Sequence, residues 1–266
     1  MAKAGPWRKI VQWIAGVFFV GMLAAALVIG GFARLSAPQT AKPLLSTVFK
    51  EALLQTELAQ KFEQFRPMIK NLPPEEPLPI PGFPKFAVTA GEAANMNVDE
   101  LAGRIATEAA SNFYEGKLDL PPEAGLDLNS FGPLGALFSA KTHQSVANLG
   151  IALWALTIIM GAIMVAFSRR FGRLSAPGIG LMAGSFVPLL VYAIAAAKIE
   201  GAAKLSDAPS MEMRLLAPML KQMESAVTAG RGQALQIMLA GVALLAVAIV
   251  GGVASRKLSA PDQPSS

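Results

Sequence analysis

Histidine occurs once in this chain, at position 143 within FSAKTHQSVANLG, and cysteine does not occur. An imidazole that titrates near neutrality can act as a general base or a nucleophile. At the edge of an apolar segment it would suit acyl transfer or lipid hydrolysis at a membrane surface, with an acid such as Glu115 or Glu200 orienting the ring. The competing reading of His143 is an amphipathic interfacial residue whose polar edge lies among lipid headgroups. One histidine and no cysteine exclude thiolate catalysis, disulfides, iron–sulfur clusters and a conventional His- or Cys-built metal site. No phosphate-binding loop, dinucleotide fingerprint, nucleophile elbow or HExxH pattern is present. The acid pairs Glu75-Glu76 and Asp99-Glu100 would be the donors of a carboxylate-only calcium or magnesium site, but they read as solvated acids. The expectation is therefore no cofactor and no metal.

The elements that would position His143 are apolar on a scale that soluble domains do not reach. Of the 266 residues, 53% are hydrophobic and 15% charged, against roughly a quarter charged in soluble domains. The excess is gathered into four blocks, residues 10–33, 146–167, 178–197 and 235–253, none with a formal charge. A bilayer-crossing helix needs roughly 20 such residues. The expected fold class is all-α: a polytopic membrane protein with four transmembrane helices and a mainly helical extracytoplasmic domain between the first two. The blocks lack ionisable residues, which ordinarily mark ion paths, so a monomeric bundle is a poor solute channel. Pro188, after Gly184-Ser185, is expected to kink the third span.

Charge sets the expected orientation. Lys3, Arg8 and Lys9 precede the first block, Arg169, Arg170 and Arg173 lie between the second and third, and Arg256 and Lys257 follow the fourth. With four spans all eight fall on one side, whose only acid is Asp262. Both termini are thus expected in the cytoplasm of a bacterial inner (cytoplasmic) membrane protein, as a tail of residues 1–9, a basic loop of 168–177 and a tail of 254–266. The pI of 9.6 follows from this bias and implies no nucleic-acid partner. The first block also resembles a signal peptide with a cleavage site after Ala33, although its apolar run is about twice the usual 7–15 residues. An uncleaved anchor is favoured.

Residues 34–145 are too many for a simple connection and are expected to form a small domain. Leu54, Leu58, Phe62, Phe65 and Ile69 make one apolar stripe, with Ser46 or Thr47 as its cap and Pro67 as its break. Residues 73–84 hold six prolines and read as a stiff connector or, less simply, a docking strip. Asn97 and Glu100 have the spacing of a capping box for a helix carrying Val98, Leu101, Ile105, Ala109 and Phe113, and Gly116 supplies its stop. In the second outer segment, 198–234, Leu216, Leu220, Met223 and Val227 form another stripe, which either lies in the interface or covers the first segment's apolar faces. Pro218 is read there as a helix start.

STVFKEALLQTELAQKFEQF, VDELAGRIATEAASNFYEGKLDLP and MRLLAPMLKQMESA, with the layout of the spans, resemble uncharacterised bacterial four-span membrane proteins with a large helical extracytoplasmic loop. That resemblance implies topology and no activity. Three copies of one phrase, at Arg34–Pro38, Arg173–Pro177 and Lys257–Pro261, read as punctuation that ends helices. The pairs Ala162 and Ala166, Ala193 and Ala197, and Ala248 and Gly252 are expected to pack the bundle or a homo-oligomer. The function expected is a non-enzymatic membrane protein, an envelope scaffold, sensor or complex subunit whose partners are the lipid bilayer and an envelope or membrane protein. The alternatives are a membrane-interface enzyme using His143, and an oligomeric pore or transporter subunit.

Overall fold

A computed structural model describes residues 6–55, 67–77, 88–117, 137–168, 172–205 and 211–258. They form seven helices: α1 Pro6–Leu35, α2 Pro38–Gln55, α3 Ala90–Asn95, α4 Val98–Tyr114, α5 Ala140–Phe167, α6 Gly172–Leu205 and α7 Met211–Leu258. No strand occurs among the described residues. Parts of α1, α5, α6 and α7 are long and apolar enough to cross a membrane: Trp7–Leu35, Ala140–Phe167, Arg173–Gly201 and Met223–Ala254. Each contains one of the four blocks expected from the sequence. The chain divides into two compact units, one made of Met1–Phe32, Val146–Ala197 and Val227–Ser266, the other of Ala33–Ser145 and Lys198–Ala226.

In the first unit, Ala15, Phe19, Leu23 and Leu27 recur every four residues and form the buried face of α1. Large side chains on this face meet glycines on its neighbours. A Cβ on Gly180 would lie 2.8 Å from the Phe19 ring, one on Gly161 3.0 Å from it, and one on Gly184 2.8 Å from Leu23. Between α6 and α7 the approach is backbone to backbone, since a Cβ on Gly241 would lie 2.8 Å from the Gly178 carbonyl oxygen. Glycines therefore make the closest of these approaches; of the alanines expected to pack, Ala248 is buried, whereas Ala162 and Ala166 remain exposed. Buried polar groups inside the spans bond within the protein. Thr157 donates to the Leu153 carbonyl at 2.7 Å, the fully buried Ser185 donates to the Leu181 carbonyl at 2.6 Å, and Tyr192 donates to the Leu27 carbonyl at 2.7 Å. Without water, each such group left unbonded would cost several kcal/mol, roughly.

In the second unit, α2 and α4 pack antiparallel. Ala41, Leu44, Leu45, Val48, Phe49 and Leu53 of α2 face Leu101, Ala102, Ile105, Ala106, Ala109 and Ala110 of α4. The alanines let the bulkier α2 side chains fit closely, and Phe49 meets Phe113 edge to face at 5.9 Å. Polar pairs along one side fix the register. Lys42 reaches Ser111 at 2.8 Å, Ser46 reaches Thr107 at 3.1 Å, and the Lys50 stem lies 3.9 Å from the Cβ position of Gly103. Steps of four along α2 are matched by steps of four back along α4, as antiparallel helices require.

Local chemistry sets the ends of these helices. Asn97 accepts from the Glu100 N–H at 2.8 Å while the Glu100 carboxylate accepts from the Asn97 N–H at 2.9 Å, which is the capping box expected. At the other end Gly116 has φ 69°, its N–H bonds the Phe113 carbonyl, and the Lys117 N–H bonds the Asn112 carbonyl. Both bonds of a Schellman stop are thus in place. Thr89 and Glu92 form a second capping box, on α3. The first N–H groups of α3 donate to the carbonyls of Glu76 and Pro74 at 2.8 and 3.0 Å. The start of the proline-rich segment is thereby bound to its own chain; residues 78–84 lie outside the described residues.

Several boundaries differ from the sequence expectation. Helix α2 starts at Pro38 rather than at Ser46 or Thr47, because Pro38 occupies the first helical position, where its missing N–H has no bond to lose. Leu58, Phe62 and Phe65 of the expected stripe lie outside the described residues, and Pro67 opens a helical turn over 67–69. Helix α6 starts at Gly172 and runs through Pro177 and Pro188, so the segment expected as a basic loop, 168–177, is helical from Gly172 onward. Helix α7 runs from Met211 through Pro218 into the fourth span without a break. Of the three phrase copies, the first separates α1 from α2, the second opens α6 rather than closing α5, and the third begins at the last turn of α7 and continues outside the described residues.

Candidate functional site

His143 sits in the first turn of α5, which Ser139 caps by accepting from the Thr142 N–H at 3.2 Å. The half-buried ring turns Nδ1 toward the end of α1, 3.1 Å from the Ala33 carbonyl oxygen and 3.2 Å from Ser36 Oγ. Ser36 is 4% exposed and its hydroxyl also reaches the Ala33 carbonyl, at 3.3 Å. Tyr114, at the end of α4, donates to the Ser36 carbonyl at 2.9 Å. Burial pushes the Tyr114 phenol above its ordinary pKa, which keeps it a hydrogen-bond donor.

The last carbonyls of a helix have no intrahelical partner. At the break between α1 and α2 those of Ala33 and Ser36 are taken by His143, Ser36 and Tyr114, and that of Arg34 by the Ala37 N–H at 3.3 Å. The imidazole with its proton on Nδ1 donates to Ala33; the tautomer with a bare Nδ1 can accept the Ser36 hydroxyl proton. The first arrangement latches a helix end, and the second is a Ser–His pair.

No protein-family model matches the chain, and no curated protein or solved structure matches it either. The site is thus read on its own geometry. Glu115, one of the acids considered for orienting the ring, is engaged elsewhere, at 2.7 Å from Lys117 and 3.0 Å from Lys42. Hydrogen bonds from Lys117 and then Lys42 hold its carboxyl down to about 2. Glu200 lies exposed on α6. Among the described residues no three His, Cys, Asp or Glu side chains gather as metal ligands would.

Of the residues expected to orient the chain, Arg8 and Arg173 lie against the end of α5. Arg8 lies 5.9 Å from the centre of the Phe167 ring, which Trp7 meets edge-on at 5.8 Å. Gln12 donates to Ser168 Oγ at 2.9 Å, and Arg173 Nε to the Ser168 carbonyl at 3.4 Å. Lys9 is exposed beside them. Lys3, Arg169 and Arg170 lie outside the described residues; Arg256 and Lys257 fall on the last turns of α7. Sequence reasoning missed Ser36 and Tyr114. Ser36 lies 107 residues from His143, and Tyr114 lies 78 residues from Ser36, so neither pairing leaves a local signature.

Proposed function

We propose that this chain is a multi-pass protein of a bacterial cytoplasmic membrane, with both termini cytoplasmic, whose helical unit works outside the cytoplasm by binding other proteins. It acts as a scaffold, sensor or complex subunit rather than as a catalyst. The observation that carries this reading is the use to which the helical unit puts its reactive side chains. His143, Ser36 and Tyr114 close a helix break; Lys42, Lys117 and Glu115 pair with one another; Lys50 pairs with Asp99 at 2.8 Å. What is left on the surface of α4 includes the exposed Arg104.

A photo-crosslinking residue at position 104, activated in native membranes, is expected to give a discrete adduct with another protein. One at Ile158, an exposed apolar position in the middle of α5, should give lipid adducts only. A scan of the exposed positions of α4 that yields no protein adduct would count against the proposal.

The 3.2 Å contact of Ser36 Oγ with His143 Nδ1 favours one second reading, a serine hydrolase at the membrane surface. A fluorophosphonate probe offered to the full chain separates the two. Labelling that disappears in both Ser36→Ala and His143→Ala variants would establish the hydrolase; the latch predicts no labelling, because Ser36 is buried.

A further inference from the structure

Along the N-terminal half of α1 an open groove of about 620 Å³ runs between this helix, α5 and α6. Its floor is small, with Gly16, Ala176 and Gly180, and its walls are Trp13, Val17 and Ile179, which are 75%, 58% and 58% exposed. Lys9 and Gln12 close its end. All these residues belong to the first compact unit.

Three observations identify an occupant. From Lys9 to Val20, both in the lining, α1 rises roughly 17 Å at 1.5 Å per residue. Half of a hydrocarbon core about 30 Å thick is about 15 Å, so the groove has the length of one leaflet. Its volume falls inside the range of about 300–1,000 Å³ typical of small-molecule sites. Charge supplies the third. Arg173 precedes Ala176 by three residues and so lies one turn beyond the groove on α6, as Lys9 lies beyond Gln12 and Trp13 on α1. The three stretches of this unit contain one acid, Asp262, in the C-terminal tail. The neutralising charge for this basic end has to come largely from outside the unit.

We propose that the groove holds an anionic glycerophospholipid, with one acyl chain along Trp13, Val17 and Ile179 and its phosphate on Lys9, supported by Arg173. The chemistry is apolar burial along the helix face joined to charge attraction at the headgroup depth, where a basic pocket between membrane helices favours anionic lipid. The lipid covers the exposed apolar side of α1 between Trp13 and Val17 and acts as part of the packing of α1 beside α6. The assignment rests on the spans alone and is independent of what the helical unit binds.

The test uses the full chain with Trp13 as its sole tryptophan (Trp7→Phe, Trp154→Phe), reconstituted in phosphatidylcholine vesicles. Phosphatidylglycerol or phosphatidylcholine carrying brominated acyl chains is then added in steps, and quenching of Trp13 is read. Brominated phosphatidylglycerol is expected to reach half-quenching at about fivefold lower mole fraction per cation engaged. Lys9→Gln should move that curve toward the phosphatidylcholine curve, and Lys9→Arg should leave it in place. A protein with Trp154 as the sole tryptophan should show coincident curves for the two lipids. Coincident curves at Trp13, an equal preference at Trp154, or a preference unchanged in Lys9→Gln with Arg173→Gln would each overturn the proposal. So would Trp13 quenched by neither lipid, which would mean that a second copy or another protein fills the groove. The comparison in the parent protein decides the matter even if a charge variant fails to fold.

Discussion

Asn97 offers the most local test of the helical unit, because its side chain and that of Glu100 satisfy two N–H groups that α4 would otherwise leave open. Removing such a cap costs about 1 kcal/mol, or about fivefold in an opening equilibrium. Asn97→Ala is therefore expected to speed amide exchange in the first turns of α4 about fivefold in the full chain, leaving α1 and α5 unchanged. Glu115 makes a prediction in pH. Its folded pKa, about 2, lies below the ordinary value of 4.5, so its contribution is present above pH 4.5 and fades as pH falls toward 2. Hydrogen exchange of α4 compared at pH 5 and pH 3 should show this loss in the parent chain and a smaller one in Glu115→Gln. Lys117→Ala should blunt it more than Lys42→Ala, since Lys117 supplies the shorter bond, 2.7 against 3.0 Å.

At the scale of the element, glycine substitutions separate packing from propensity. A methyl group at Gly241 would meet the Gly178 carbonyl oxygen at 2.8 Å, and backbone cannot rotate aside as a side chain can, so α6 and α7 would have to part. A methyl group at Gly30 meets nothing within 4 Å, while alanine favours the helix by up to about 1 kcal/mol. Gly241→Ala should lower the thermal midpoint of the purified protein and Gly30→Ala should hold or raise it; equal effects would refute the close helix contact. The same elements show what the amino-acid order reveals. The four long apolar helices were legible because some 20 uncharged residues leave few alternatives, and the Asn97 box and Gly116 stop were legible because their partners lie within five residues. Helix starts at Pro38 and Gly172 were not, since a proline after an apolar block reads as a stop, as Pro38 and Pro177 did, although one opens a helix and the other lies inside one. The unbroken run of α7 was hidden too, because hydropathy marks where a helix leaves lipid and not where it ends. The pairing of Ser36 with His143 and the groove beside Lys9 depend on which helices become neighbours, and no local spacing records that.

For the whole molecule, the proposal stands on the side of the membrane that the helical unit occupies. The helices themselves show only that four segments can cross; the proposed direction rests on the eight cations that the sequence places next to the apolar blocks. Basic residues are held on the cytoplasmic side during insertion, and the effect is strongest close to the span ends, next to which the sequence places Lys3, Arg8, Lys9, Arg169, Arg170, Arg173, Arg256 and Lys257. Helix α4, in the longer segment between the first two spans, should then face outward. The chain has no cysteine, so single cysteines can report each side without a background. In intact cells an impermeant maleimide should label Arg104→Cys, whose position is exposed on α4, and should leave Ser265→Cys in the C-terminal tail unlabelled until the membrane is opened. The opposite pattern would put the helical unit in the cytoplasm. It would leave the Ala33 latch and the α2–α4 packing intact as structure, but remove the reason for seeking the partner in the envelope.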